Sequence, residues 1–321
     1  MQPPASASRA TDRPLAGVLC LVGGIAVFSL QDLIIKLISD AYPVHQAIAI
    51  RGMVALPILA VLVARSGGLA RLRTEKAAVL TIRGLLMLSA YTSFYLGLAA
   101  LPIAIAVSLY FVAPIFVTVL SAVVLKERVG ARRWAAVSLG FVGILVVSRP
   151  TAELFDPAAL LPIFAGFAYA VSAVIARRLG ASESAPVMAF YANGIYLAAG
   201  FLLGAIFTQA GVGEAHHKSL SFLVRTWAVP TVPDLLLLMA CGAIAAAGTV
   251  LLTQAYRLAQ ASTVAPYEYT ALVWSLIYGW IFWGEFPDAM AWTGIFLVVL
   301  SGLYTLSSVA PAARRADATA R

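Results

Sequence analysis

The stretch TVAPYEYTALVWSLIYGWIFWGE, from Thr263 to Glu285, decides how this chain is read. It is long enough to cross a bilayer, which takes about 20 predominantly apolar residues. Yet it carries a carboxylate, Glu268, and a polar and aromatic series at Tyr267, Thr270, Trp274 and Tyr278. At helical spacing that series falls on one side. Lipid offers such a stripe nothing to bond, so the expected helix turns it inward.

The stretch has a twin. The run LYFVAPIFVTVLSAVVLKE ends at Glu127, a separation of 158 from Glu285 (285 − 127), and Trp134 and Trp292 stand the same distance apart. An apolar helix, a Glu-bearing turn, a Trp and a second apolar helix therefore occur once in each half, which points to internal duplication.

Composition puts both copies in a membrane. Of 321 residues, 62% are hydrophobic and 11% charged, against about 45–50% apolar and about 25% charged in soluble domains. Such a chain satisfies its backbone within helices and packs those helices on one another. The formal charge of +8 is no nucleic-acid signal, because the basic residues sit in short loops between apolar spans. Cys20 and Cys241 lie inside apolar stretches, without disulfide or metal spacing. The adjacent His216 and His217 on a loop do not make a metal site, and no cofactor motif is found.

Taken in order, residues 1–14 read as a disordered cytoplasmic lead and 15–148 as a first five-helix unit. Its spans lie near 15–38, 44–65, 77–99 and 103–125, with a fifth ending at Ser148. The first reads as an uncleaved span, since no small-x-small cleavage site follows it cleanly. Residues 149–157 form a joint. The second unit, 158–308, has spans near 158–179, 185–209, 234–258, 263–283 and 288–308, and residues 309–321 form a cytoplasmic tail. The long loop from Gly211 to Pro233 has room for a short surface helix.

Five spans per unit make the second copy enter the membrane inverted. The positive-inside rule agrees. With a cytoplasmic amino terminus, the inner segments collect Arg71, Arg73 and Lys76, then Lys126 to Arg133, Arg177 and Arg178, Arg257, and the arginines of both ends. The outer segments hold Arg149, Lys218 and Arg225. The expected fold is all-α and integral to the membrane, ten helices in two inverted five-helix repeats around a central cavity.

This pattern resembles the drug/metabolite transporter superfamily, in its EamA-type branch. The likeness is carried by the Glu127 turn with Trp134, the Glu285 turn with Trp292, and the ALPIAIA run opening span 4 (Ala100 to Ala106), echoed by LAQASTVAP (Leu258 to Pro266). The segment SLQDLIIKLISDAYPVHQAIAIRG, Ser29 to Gly52, looks like the first hairpin of bacterial members, some of which carry riboflavin, S-adenosylmethionine or amino acids. The resemblance implies a basket of helices in which spans 1, 3, 4, 6, 8 and 9 line the cavity, with 5 and 10 peripheral. It brings no fixed substrate motif.

Site residues must then come from charges inside spans, each costing about 3 kcal/mol at the bilayer centre unless paired or wet. Asp32 and Lys36 are an i, i+4 pair sharing a face with Ser29, either self-neutralised or facing the cavity. Arg51 lies at a similar depth on span 2. Arg83 and Glu268 each lie about six residues, or ~9 Å, from the cytoplasmic end. Arg83 either snorkels to headgroups or lines the inner mouth. Glu268 is either merely packed or binds a proton or the substrate's positive group. Two gates are expected: Asp32 with Arg51 at the outer mouth, Arg83 with Glu268 at the inner one.

Tyr91, Phe94, Tyr95, Tyr110 and Phe111 offer rings for a planar substrate, or serve as packing. Tyr267 and Trp274 belong to the inward stripe. Pro114 interrupts span 4 and frees the carbonyl of Tyr110, and Gln254 and Arg257 sit at the inner mouth. No nucleophile–base set or nucleotide-binding loop is found, so the chain is not read as an enzyme. The expected function is secondary active transport of a small organic metabolite, riboflavin-like or amino-acid-like, across a bacterial inner membrane by alternating access. Protons, substrate exchange or the substrate's own gradient would drive it. The alternatives are an exporter of broad specificity and, from other classes, a channel or an intramembrane enzyme. Direction and oligomeric state are open.

Overall fold

The computed structural model describes residues 13–38, 41–101, 103–148, 157–210, 218–283, 289–290, 292–297, 299–301 and 304. The expected joint before Pro157, the tail 309–321, Glu285, His216, His217 and the side chain of Lys36 lie outside this description. Among the described residues the chain is all helical. Its helices are α1 (Pro14–Ile38), α2 (Val44–Arg65), α3 (Ala77–Ala100), α4 (Ile103–Tyr110), α5 (Ala113–Val124) and α6 (Ala131–Ser148). They are followed by α7 (Leu160–Leu179), α8 (Ala185–Ala210), α9 (Lys218–Val224), α10 (Val232–Leu258), α11 (Ala261–Val264) and α12 (Thr270–Trp283).

Among the described residues, six helices are long and apolar enough to cross a membrane: α1, α2, α3, α7, α8 and α10. Their ends follow local chemistry. The Thr231 side chain caps α10 by accepting from Asp234 N at 3.3 Å, and the Asp234 carboxylate accepts from Thr231 Oγ1 and from Tyr42 Oη, both at 2.7 Å. One cap thus ties α10 to the residues before α2.

Span 4 is interrupted near Pro114 as expected, and the stretch read as a continuous span 9 is broken as well, which corrects that expectation. The first stops at Tyr110, turns through Phe111 and Val112, and resumes as α5; the second passes from α11 through a 3-10 segment, Ala265–Tyr269, into α12. Pro114 opens α5 and Pro266 opens the 3-10 segment. A proline there supplies no N–H and crowds the carbonyl four residues back, so the ladder shifts to tighter bonds. The two breaks stand at the separation already seen between the halves: Phe111 and Tyr269, 158 apart (269 − 111), are both buried, with ring centroids 5.8 Å apart.

Close helix crossings rest on glycine, as expected where lipid supplies no hydrophobic drive. α3 crosses α8 at Gly84, where an added Cβ would meet Ile195 at 2.4 Å; α10 crosses α2 at Gly242, where it would meet Val54 Cβ at 2.5 Å and the Arg51 carbonyl at 2.8 Å. Backbone cannot yield there as a side-chain tip can. Gly242→Val is expected to destabilise the fold by about 1–3 kcal/mol, read as a lower thermal midpoint in detergent. Gly130→Ala, where an added Cβ meets nothing within 4 Å, should move the midpoint little.

The bundle has two chemically distinct ends. At one, Lys76 Nζ donates to Ser182 Oγ at 2.6 Å, Arg257 Nη2 to the Gly180 carbonyl at 3.0 Å, and Arg133 Nη1 to Gln260 Oε1 at 2.6 Å. Arg13 N donates to the Leu258 carbonyl at 2.8 Å, so the start of α1 belongs to this basic end. At the opposite end, His45 bonds the Arg225 carbonyl at 3.1 Å, Gln46 donates to the Ala228 carbonyl at 2.6 Å, and Ser219 Oγ to the Leu96 carbonyl at 2.6 Å.

Candidate functional site

Tyr91, Phe94 and Tyr95 occupy one face of α3 at helical spacing, and rings from four other helices extend the row. Ring centroids run from Tyr196 to Tyr91 (5.8 Å), Tyr91 to Tyr95 (4.4 Å), Tyr95 to Phe94 (5.3 Å) and Phe94 to Tyr110 (5.0 Å). They continue from Tyr110 to Tyr169 (6.2 Å) and Tyr169 to Tyr256 (6.4 Å). All these spacings suit offset or edge contacts. Two carboxylates meet the row, and each accepts a tyrosine hydroxyl: Asp32 Oδ1 from Tyr95, within it, and Glu268 Oε1 from Tyr256, at one end.

Asp32 is exposed, yet protein surrounds it, so what it meets is an internal recess and not lipid. Arg51 is only 1% exposed. Its Nη1 donates to Gln31 Oε1 at 3.3 Å, and its guanidinium carbon lies 4.5 Å from the Tyr91 ring centroid and 4.6 Å from that of Tyr196. Two ring faces and one amide therefore hold the charge. The expected Asp32–Arg51 pair is not formed here. Among the described residues, Arg51 Nε and the Tyr91 hydroxyl are buried without a hydrogen-bond partner.

Arg83, 3% exposed, does not snorkel; it points into the bundle. Its Nε donates to the Ser172 carbonyl (3.3 Å), Nη1 to the Met188 carbonyl (3.4 Å) and Nη2 to Thr253 Oγ1 (3.0 Å). It thus ties α3 to α7, α8 and α10. The expected Arg83–Glu268 pair is likewise not formed in this conformation. Arg83 and Glu268 attach one turn apart on α10, at Thr253 and Tyr256, through different partners.

Glu268 is 6% exposed, and every residue from 261 to 269 is buried. Glu127 covers this segment. Its Oε1 accepts from Ala261 N at 3.2 Å, its Oε2 from Ser262 N at 3.3 Å and Ser262 Oγ at 2.9 Å, and Arg177 Nε lies 3.6 Å away. Arg133 Nη1 adds a bond to Ser262 Oγ at 2.8 Å. The basic end is packed shut over the Glu268 carboxylate, while Asp32, held at Tyr95 farther along the row, is open.

The other expected residues fall elsewhere. Tyr267 and Trp274 pack in the cluster containing Val18, Leu21 and Ile25 of α1 and do not join the row of rings. The 3-10 segment separates them from a common helical stripe, and Thr270 Oγ1 turns back to the Tyr267 carbonyl at 2.7 Å. Gln254 accepts from Arg257 Nη1 at 2.6 Å at the basic end. Pro114 is buried, and the Tyr110 carbonyl it frees approaches α7 at Gly166, where a Cβ would lie 2.9 Å from that oxygen.

Sequence reading missed Tyr169, Tyr196 and Tyr256, which look like ordinary packing residues in apolar spans. It also took Glu127 only as a landmark. One signal was available: the 158-residue separation extends to Tyr110 and Glu268 (268 − 110), and so to the two breaks.

Comparison with known proteins bears on this geometry. The EamA-like transporter family profile matches the chain twice, over residues 15–149 and again over 156–307. The chain belongs to the EamA-like transporter family. This EamA-like transporter is 29% identical to an S-adenosylmethionine uptake transporter of Rickettsia bellii, over 74% of this chain and 75% of that one. It is 28% identical to a riboflavin transporter of Vibrio cholerae, over 90% and 92% of the two chains. The pseudopaline exporter CntI of Pseudomonas aeruginosa is 26% identical over 89% and 94%. A solved crystal structure superimposes with a TM-score of 0.71 at 17% identity, covering 90% of this chain and 96% of that one; this likeness shows the fold alone. The EamA-like transporter is a multi-pass membrane protein and not an enzyme.

Proposed function

We propose that this chain is a secondary active transporter that moves a small organic metabolite across a bacterial inner membrane by alternating access. The observation that carries the reading is the row of rings between two carboxylates, one open to a recess and the other shut beneath Glu127. Rings suit a planar or amphipathic substrate, and carboxylates suit a positive group or a coupling proton. Riboflavin-like and amino-acid-like compounds lead; a broad-specificity exporter is the second reading, favoured by the likeness to the pseudopaline exporter.

Two inverted five-helix repeats, 15–148 and 158–308, account for this asymmetry. The reciprocal crossings support the repeat: Gly84 of α3 on α8, and 158 positions later Gly242 of α10 on α2. So do the matched breaks and the touching Phe111 and Tyr269 rings. In such a fold the substrate sits between the halves, and the broken helices present backbone and side chains to it. The basic end is the cytoplasmic end, with both termini there, and the conformation described is closed to the cytoplasm.

Competition in proteoliposomes tests this reading. Riboflavin, S-adenosylmethionine and amino acids should include at least one saturable competitor for uptake. Competition by inorganic cations alone would overturn it.

A further inference from the structure

A carboxylate inside a membrane span is costly unless paired or wet. Asp32 lies six residues from the end of α1, ~9 Å along the helix, and is exposed there. Tyr95 donates to its Oδ1; among the described residues its Oδ2 has no partner. Arg51, the cation expected to pair with it across the first hairpin, is engaged elsewhere. Arg51 lies against Tyr91 and Tyr196 and donates to Gln31, the residue next to Asp32 in the chain. Beside Asp32 the rings of Tyr91, Phe94 and Tyr110 are only half-buried, so their faces are open to the recess.

Ring faces attract cations, and a single anchored carboxylate gives such a cation its charge partner. We infer that Asp32 is the group that recognises the substrate's cationic centre, an ammonium or sulfonium, with Tyr91, Phe94 and Tyr110 taking the ring that accompanies it. Tyr95 is the positioning residue: its hydroxyl holds the carboxylate toward the recess. Arg51 and Gln31 keep the α1 turn and Tyr91 in place. The substrate class is then a ring-bearing organic cation or zwitterion. Neutral and anionic ring compounds meet a carboxylate that gains nothing from them. The inference rests on the transporter reading of the same site and narrows it.

One ring carrying three charge states separates the possibilities. Tryptamine, tryptophan and indole-3-propionate present an indole with a cation, a zwitterion and an anion; S-adenosylmethionine and riboflavin add a cationic and a neutral ring compound. Each is titrated by calorimetry into the detergent-purified full chain. Tryptamine, tryptophan and S-adenosylmethionine should bind about tenfold or more tighter than indole-3-propionate and riboflavin. Asp32→Asn, which keeps the shape, should erase that preference, and Asp32→Glu should restore part of it. Each variant's thermal midpoint without ligand reports whether it is folded. Indole-3-propionate or riboflavin binding as tightly as tryptamine would overturn the inference. So would a cation preference that survives in folded Asp32→Asn, or binding by none of the cationic compounds. Saturable riboflavin uptake in vesicles alongside any of these results would leave the transporter reading standing and remove only this one.

Discussion

Glu268→Gln is expected to reduce gradient-driven accumulation to the passive level while substrate exchange continues. Glutamine keeps the size of the side chain and an oxygen for the Tyr256 hydroxyl, but it carries no charge and takes up no proton. Glu268 lies at the shut end of the row, beneath a segment with no exposed residue. A carboxylate retained there has to exchange something when that end opens. If its cargo is a proton, the amide uncouples transport from the gradient and leaves the substrate's own path intact. If it is the substrate's positive group, accumulation and exchange fall together. The loss of a charged hydrogen bond is about 1.5–3 kcal/mol, or roughly 10- to 150-fold. Accumulation and exchange both at wild-type level would remove both roles.

Glu127→Ala is expected to open the basic end. One carboxylate, 9% exposed, accepts from two backbone N–H groups and a hydroxyl of the second half, and Arg177 stands beside it. These bonds exist only while the segment from Ala261 is docked on the turn after α5. Removing them shifts the balance between closed and open forms by about 2–3 kcal/mol, roughly 30- to 150-fold. The reporter is Thr249→Cys, on a residue now 1% exposed, with Cys20 and Cys241 replaced by alanine. Membrane-impermeant maleimide applied to the basic side should label it at least tenfold faster when Glu127 is alanine. Equal labelling with and without Glu127 would show that the clamp does not hold the closure.

Much of this architecture is legible in the sequence because burial in lipid writes itself in long apolar runs. α1, α2, α3, α7, α8 and α10 were readable that way. The break at Pro114 was readable as a kink, since a proline's missing donor is a local fact. The matching break at Pro266 was not, because Glu268 and the aromatic series drew the reading toward one continuous stripe. Charges in the spans marked Asp32, Arg51, Arg83 and Glu268 correctly as unusual, but not their partners. Arg51 is held by ring faces and Arg83 largely by the carbonyls of Ser172 and Met188. Neither carries an opposite charge for pairing rules to find. Glu127 escaped for the same reason: its chief partners are backbone N–H groups.

Counterflow in proteoliposomes tests the central claim, carriage by alternating access, most directly. Vesicles containing the full chain are loaded with unlabelled substrate, and uptake of labelled substrate is compared with that of empty vesicles. S-adenosylmethionine and riboflavin are the first probes, since both name the cargo of relatives. The account predicts saturable uptake, several-fold faster into loaded vesicles, because a loaded carrier returns across the membrane more readily than an empty one. Flux that rises linearly with concentration and ignores the internal load would contradict it and indicate a channel.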